Sequence, residues 1–205
     1  MTILIIAITS IISILAFGNS GFFDKMQLNP YQVYHKKEWY RVLSHGFLHA
    51  DWIHLIINML VLFSFGSSVE RIFNDLADQG IIQSPILSYV ILYFASMIMA
   101  TVTTVKKHKD NEWYNSVGAS GAVSAIVFAN IFFQPMASVY FYGVIPIPGI
   151  IFGILYLAYS HYMSKRDSDH INHDAHFIGA VFGFVFPLFL DHKLIYVFIN
   201  QLTNF

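Results

Sequence analysis

The chain has 205 residues, of which 56% are apolar, 17% aromatic and 11% charged, against roughly 25% charged in an average soluble domain, a membrane-protein balance that excludes disordered, collagen-like and soluble coiled-coil classes. Its 11 Lys+Arg and 12 Asp+Glu leave a net charge of −1, without the basic excess that nucleic-acid binding needs. With no cysteine, disulfides, thiol catalysis and thiolate metal sites are excluded, and 10 histidines remain to be explained.

A hydrocarbon core of roughly 30 Å takes about 20 apolar residues in a helix. In chain order, runs near that length cover 2–17, 52–69, 81–105, 117–133, 139–162 and 174–190. The fold class expected is therefore all-α: a polytopic membrane protein built as a six-transmembrane-helix bundle, in one domain over 1–205. The first run, Thr2 to Phe17, is short. No Lys or Arg precedes it and no A-x-A-like site follows, so it is read as a helix and not as a signal-peptide core. The first loop, 18–51, mixes Phe22, Phe23, Tyr31, Tyr34, Trp39 and Tyr40 with charges. That is too aromatic for a plain hydrophilic tether, and the loop is expected to lie on the membrane surface.

The fifth run holds Pro146 and Pro148, which break helical hydrogen bonding, so its helix is placed at 149–163. Residues 134–148 are then interfacial, a depth that suits Tyr140, Phe141 and Tyr142. No repeat or low-complexity tract divides the chain. Loops one, three and five carry nine Lys/Arg, at 25, 36, 37, 41, 106, 107, 109, 165 and 166, whereas the opposite side carries Arg71 and Lys193. The positive-inside rule puts the nine in the cytoplasm, although long loops translocate largely regardless of charge.

Polar side chains inside spanning segments are costly and so point to function. In the second helix His54 and Asn58 are four apart and share a face. They are either donors aimed at a site or interhelical glue. The fourth helix opens Asn115-Ser-Val-Gly118-Ala119-Ser120-Gly121-Ala-Val-Ser124-Ala125. Glycine on both sides of Ser120 allows a tight turn and close approach of a substrate chain, as a serine nucleophile at a helix start requires. The unpaired N–H groups of that helix start could hold an oxyanion. A small-residue packing stripe is the alternative.

The sixth helix reads His173-Asp174-Ala175-His176-Phe-Ile-Gly179-Ala-Val-Phe-Gly183. His176, Gly179 and Gly183 fall on one face, so close packing of that stripe on the fourth helix would bring His176 to Ser120. A Ser–His pair suffices for nucleophilic catalysis. Asp174 is a third member of a triad or, as the first polar residue of the helix, an N-cap; the cap is preferred.

His54-Leu-Ile-Ile-Asn58, Gly118-Ala119-Ser120-Gly121 and Ala175-His176-Phe-Ile-Gly179 with Gly183 resemble, in order and on matching helices, the three signatures of the rhomboid intramembrane serine proteases. Tyr40-Arg41, His45, His49 and Ser68-Val69-Glu70 extend the resemblance, which covers roughly residues 36 to 190. It implies Ser120 as nucleophile, His176 as general base and acid, and His54 and Asn58 with the Ser120 N–H as oxyanion stabilisers. His49, Gly118, Gly121, Gly179 and Gly183 take supporting roles, His49 as a water-binding group. It implies transmembrane protein substrates, no cofactor and no metal, and an integral membrane protein of a bacterial cytoplasmic membrane. The site would open to the extracytoplasmic side, against the charge count. The sequence departs from the family pattern at Ser124, where an aromatic residue commonly packs on the catalytic imidazole, and at Tyr40, which replaces Trp.

Two other functions are compatible with parts of this pattern. One is a catalytically inactive relative that only binds transmembrane segments. The other is a metal-dependent membrane oxidoreductase, since His45-x-x-x-His49 and His170-x-x-His173-x-x-His176 are similar to histidine boxes. The second lacks an adjacent His pair and leaves Ser120 unused.

Overall fold

A computed structural model describes residues 1–141, 143–166 and 171–203. Tyr142, assigned above to the interface, and His170, part of the second histidine spacing, lie outside these. The helices are α1 (Thr2–Phe17), α2 (Ser20–Met26), α3 (Pro30–His35), α4 (Arg41–Ser44, continued by a 3-10 turn His45–Phe47), α5 (Trp52–Asp78), α6 (Pro85–His108), α7 (Ser120–Phe133), α8 (Gly149–Met163), α9 (His173–Leu190) and α10 (Leu194–Thr203). Between α7 and α8 runs a hairpin of β1 (Ser138–Phe141) and β2 (Ile145–Pro148).

Local chemistry explains where these elements start. Asp51 accepts the His54 N–H at 2.8 Å and opens α5. Ser84 caps α6, with Pro85 at a first-turn position where its missing N–H is not needed. This moves the helix start from the expected residue 81. α5 runs on past Val69 to Asp78, because Leu62, Gly66, Val69, Phe73 and Leu76 continue a buried stripe beneath the charges that begin at Glu70. The hairpin corrects the all-α expectation: Ser138 pairs with Pro148 and Tyr140 with Pro146 in antiparallel register. Each strand of a two-stranded hairpin has an open edge, which tolerates proline.

α7 is the central helix, with every residue from Gly121 to Phe133 buried. It packs against α5, α6 and α9, which accounts for a segment that is apolar on all sides. The outer surface is apolar as well: Ile11, Leu15, Ile56, Leu60, Ile154 and Phe189 are all exposed, whereas Thr9, Ser13, Ser96, Thr101 and Asn130 are buried. Water would not tolerate so broad an apolar exterior. α5, α6 and α9 are long and apolar enough to cross a membrane, and α1, α7, α8 and α10 are shorter apolar helices. The chain is a helical membrane protein.

Candidate active site

The first loop is ordered around one buried side chain. Arg41, 4% exposed, donates from its guanidinium to the carbonyls of Asp24 and Gln27 at 2.8 Å each, to Gln32 Oε1 at 3.1 Å and to Glu38 Oε2 at 2.6 Å. The guanidinium also stands over the Tyr40 ring. Hydrogen bonding from Arg41 holds the Glu38 carboxyl below its usual range. The same loop is tied to the third: Leu28 and Ser116 exchange backbone hydrogen bonds, and Gly118 N donates to His45 O at 3.0 Å. Lys107, in the last turn of α6, pairs with Asp174, in the first turn of α9, at 2.8 Å, so this contact and the tie between the first and third loops lie at the end of the bundle where α7 and α9 begin.

At that end Ser120 Oγ lies 2.7 Å from His176 Nε2. Both residues are half-buried. Their approach follows from the α7–α9 crossing, where a Cβ at Gly179 would overlap the Gly121 carbonyl and one at Gly183 would overlap Ala125. The N-cap of α7 is Ala119, which offers no side-chain acceptor, so the N-cap residue makes no side-chain bond to the first N–H groups of the helix.

Gly118 holds a φ of +123°, which a side chain would strain. Space above it is bounded by the His54 ring, with Cε1 at 2.9 Å and Nε2 at 3.1 Å from where a Cβ would stand, and by Ser120 Oγ at 3.8 Å. His54 and Ser120 thus border a common small volume. Asn58 Nδ2 donates to His54 O at 3.0 Å, within α5 itself. That bond differs from the interhelical glue weighed from the sequence. His49, fully buried, contacts Ser13 Oγ through Nδ1 at 3.0 Å and sets its ring edge-on to His54 at 4.9 Å. His45 is tied through Nδ1 to Arg41 O at 2.9 Å. Burial pushes the His45 imidazole down to about 4 and that of His49 to about 3, so both are neutral at pH 7.

One sequence expectation changes here, and the Ser124 departure gains a structural context. Asp174 is not the cap of α9: Asn172 accepts the Ala175 N–H at 3.1 Å, and the Asp174 carboxylate faces Lys107 instead. Ser124 does not leave the imidazole without an aromatic neighbour, because Tyr156 of α8 reaches across to it, with its hydroxyl 2.7 Å from Ser124 Oγ and its ring stacked near that of His176. The one available sequence signal was a tyrosine within an apolar run, whose hydroxyl needs a partner. Among the described residues no three His, Asp or Glu side chains gather as a metal site would require.

The family profile described as Rhomboid domain matches residues 36–193. A curated relative from Arabidopsis thaliana, described as "RHOMBOID-like protein 12, mitochondrial", is 28% identical over 143 residues, covering 68% of this chain and 43% of its own length. The chain thus spans less than half the length of that relative.

Proposed function

The chain belongs to the rhomboid family, and from that premise we propose that it is an intramembrane serine endopeptidase, hydrolysing peptide bonds within or next to the transmembrane segments of other membrane proteins by a Ser120–His176 dyad. The observation that carries this reading is the 2.7 Å separation between Ser120 Oγ and His176 Nε2. A neutral imidazole with its proton on Nδ1 presents Nε2 as acceptor, takes the serine proton as Oγ attacks the scissile carbonyl, and returns it to the leaving amine. Water, activated by the same nitrogen, then hydrolyses the acyl-enzyme. We assign the oxyanion to the space over Gly118, with His54, Asn58 and the Ser120 N–H as donors and His49 as the support behind His54.

In this reading α1, α5, α6, α7, α8 and α9 are six membrane-crossing helices. The 14 residues of α7 rise only about 21 Å against a hydrocarbon thickness of roughly 30 Å. Ser120 therefore falls within the depth spanned by the longer helices, and water has to reach it among His45, His49, His54 and Asn58. Exposed Trp39, Tyr40, Trp52 and Trp113 gather at the dyad end, as an aromatic belt does at a membrane surface. The bacterial cytoplasmic membrane expected from the sequence has no support in the relative, which is described as mitochondrial, and the proposal stops at an integral membrane location.

The test is incubation of purified protein with a single-span substrate and, separately, with a fluorophosphonate or isocoumarin reagent. Wild type should cleave and label, while Ser120→Ala and His176→Ala should do neither. Cleavage that survives Ser120→Ala removes the proposal, and substrate binding without cleavage or labelling assigns the chain to the inactive relatives. Chelators should leave activity intact.

A further inference from the structure

α8 brings to the dyad a ring that local motifs did not signal. The centroid of Tyr156 lies 6.4 Å from that of His176, with the two planes 19° apart. The ring is itself held from three directions. Its hydroxyl is 2.7 Å from Ser124 Oγ, Phe152 stacks on it at 6.0 Å and Phe128 meets it at 5.6 Å.

Ser124 follows Ser120 by one helical turn on α7 and stands on the same face. A small side chain there leaves room for a ring coming from α8, and its hydroxyl gives that ring a fixed anchor. The imidazole of His176 has two soft torsions, and only a narrow range of them keeps Nε2 on Ser120 Oγ. A near-parallel aromatic at this separation lies within the range where ring pairs attract, and it bounds the imidazole on the side facing α8.

Building on the dyad reading above, we propose that Tyr156 is a positioning residue whose ring fixes the plane of the His176 imidazole and so keeps Nε2 directed at Ser120. Tyr156 meets Ser124, Phe128, Phe152 and His176, and its effect on Ser120 passes through His176. Removal of the ring therefore slows the step in which the imidazole moves a proton and leaves substrate binding alone. Removal of the hydroxyl alone leaves the stack in place between Phe152 and His176.

The experiment compares wild type, Ser120→Ala, Tyr156→Leu and Tyr156→Phe in one detergent, reading kcat, KM, the rate of fluorophosphonate labelling and the thermal midpoint. Tyr156→Leu is expected to melt lower, because it loses the Phe128 and Phe152 contacts and leaves Ser124 unbonded, and, measured on the folded fraction, to lose about 2- to 12-fold in kcat and in labelling rate at unchanged KM, with Tyr156→Phe recovering to within about twofold of wild type in those rates. A folded Leu variant as fast as wild type, a Phe variant as slow as the Leu variant, or a loss that lies in KM or is accounted for by the unfolded fraction overturns the proposal. The wild-type and Ser120→Ala pair reports separately on the dyad: if both label alike or not at all, that reading fails and the positioning role fails with it.

Discussion

Gly179 of α9 lies on the backbone of Gly121 of α7 so closely that a single added carbon would overlap the Gly121 carbonyl. One helical turn before Gly179 comes His176, and immediately before Gly121 comes Ser120, so this crossing sets the spacing of the dyad. Gly179→Ala should therefore act twice. Forcing a methyl group into a packed helix contact costs about 1–3 kcal/mol, and the helices must part just where Nε2 meets Oγ. Gly18→Ala is the control, since a Cβ there meets nothing nearer than the Leu15 carbonyl at 3.9 Å. The measurement is thermal midpoint beside labelling rate of the folded fraction. A Gly179→Ala protein that matches Gly18→Ala in both would show that the crossing does not govern the site.

For His54 and Asn58 the size of the effect separates two roles. As packing groups they would each contribute about 0.6 kcal/mol, the typical value for hydrogen bonds in membrane interiors, with little change in turnover. As oxyanion donors, loss of either should cost about 10²–10³ in kcat, or roughly 2.7–4 kcal/mol of barrier. The Ser120 N–H and a cavity water can replace part of one lost donor, so the expected loss is at least about tenfold for His54→Ala or Asn58→Ala. Asn58 already differs from a packing group in one respect, for its amide donates inside its own helix, to His54 O. Variants that melt early and turn over normally would return both residues to a structural role.

What could be read from the sequence was set by local signals. α1 and α8 occupy 2–17 and 149–163 as expected, because an apolar run ends at Gly18 in one case and starts after Pro148 in the other. Ser120, His176 and the glycines of α9 were legible from spacing, since helical periodicity carries straight into a packed face. The far end of α5 was not, because its buried stripe persists under charged residues that hydropathy alone counts as loop. Nor was α10, whose Phe198 packs on Phe132 and Phe184 from the far end of the bundle. For Tyr156 the sequence offered only a hydroxyl in need of a partner and not which partner: 32 residues separate it from Ser124, and no periodicity links two helices. Asp174 and Asn172 show the remaining difficulty. Two residues at a helix start can both cap, and the presence of Lys107 across the site takes one of them away.

The absence of cysteine allows a direct check of sidedness against the charge count. Loops one, three and five, with the dyad, are expected on the extracytoplasmic side of an expressing cell, and the opposite loops in the cytoplasm. Trp113 is 89% exposed beside the dyad end, and Gln79 is exposed in the connection after α5. A membrane-impermeant maleimide should label Trp113→Cys in intact cells and Gln79→Cys only after permeabilisation. The reverse pattern would show that the nine cations prevail over the family arrangement.

The last expectation concerns acid, and its sign follows from two kinds of group in the first loop. The Glu38 carboxyl, bonded to Arg41 at 2.6 Å, is held below its ordinary 4.5. Because its folded value lies below the unfolded one, the stability it contributes is complete above about 4.5 and is lost as pH falls through the lower folded value. The buried imidazoles act earlier. His45 and His49 drop from 6.5 to about 4 and about 3 in the folded chain, so between those limits the unfolded chain binds the extra protons and stability declines from about pH 6.5 downward. Thermal midpoints measured from about pH 3 to about pH 7 should then fall in two stages for wild type. Glu38→Gln removes the charge-assisted bond to Arg41 and should melt lower than wild type near neutrality, keep the histidine stage, and converge on wild type as the native carboxyl protonates. Convergence is the decisive feature. A constant gap between the two curves across the whole range would mean that Glu38 acts by shape and not by charge, and that the ordering of this loop around Arg41 does not depend on the ion pair.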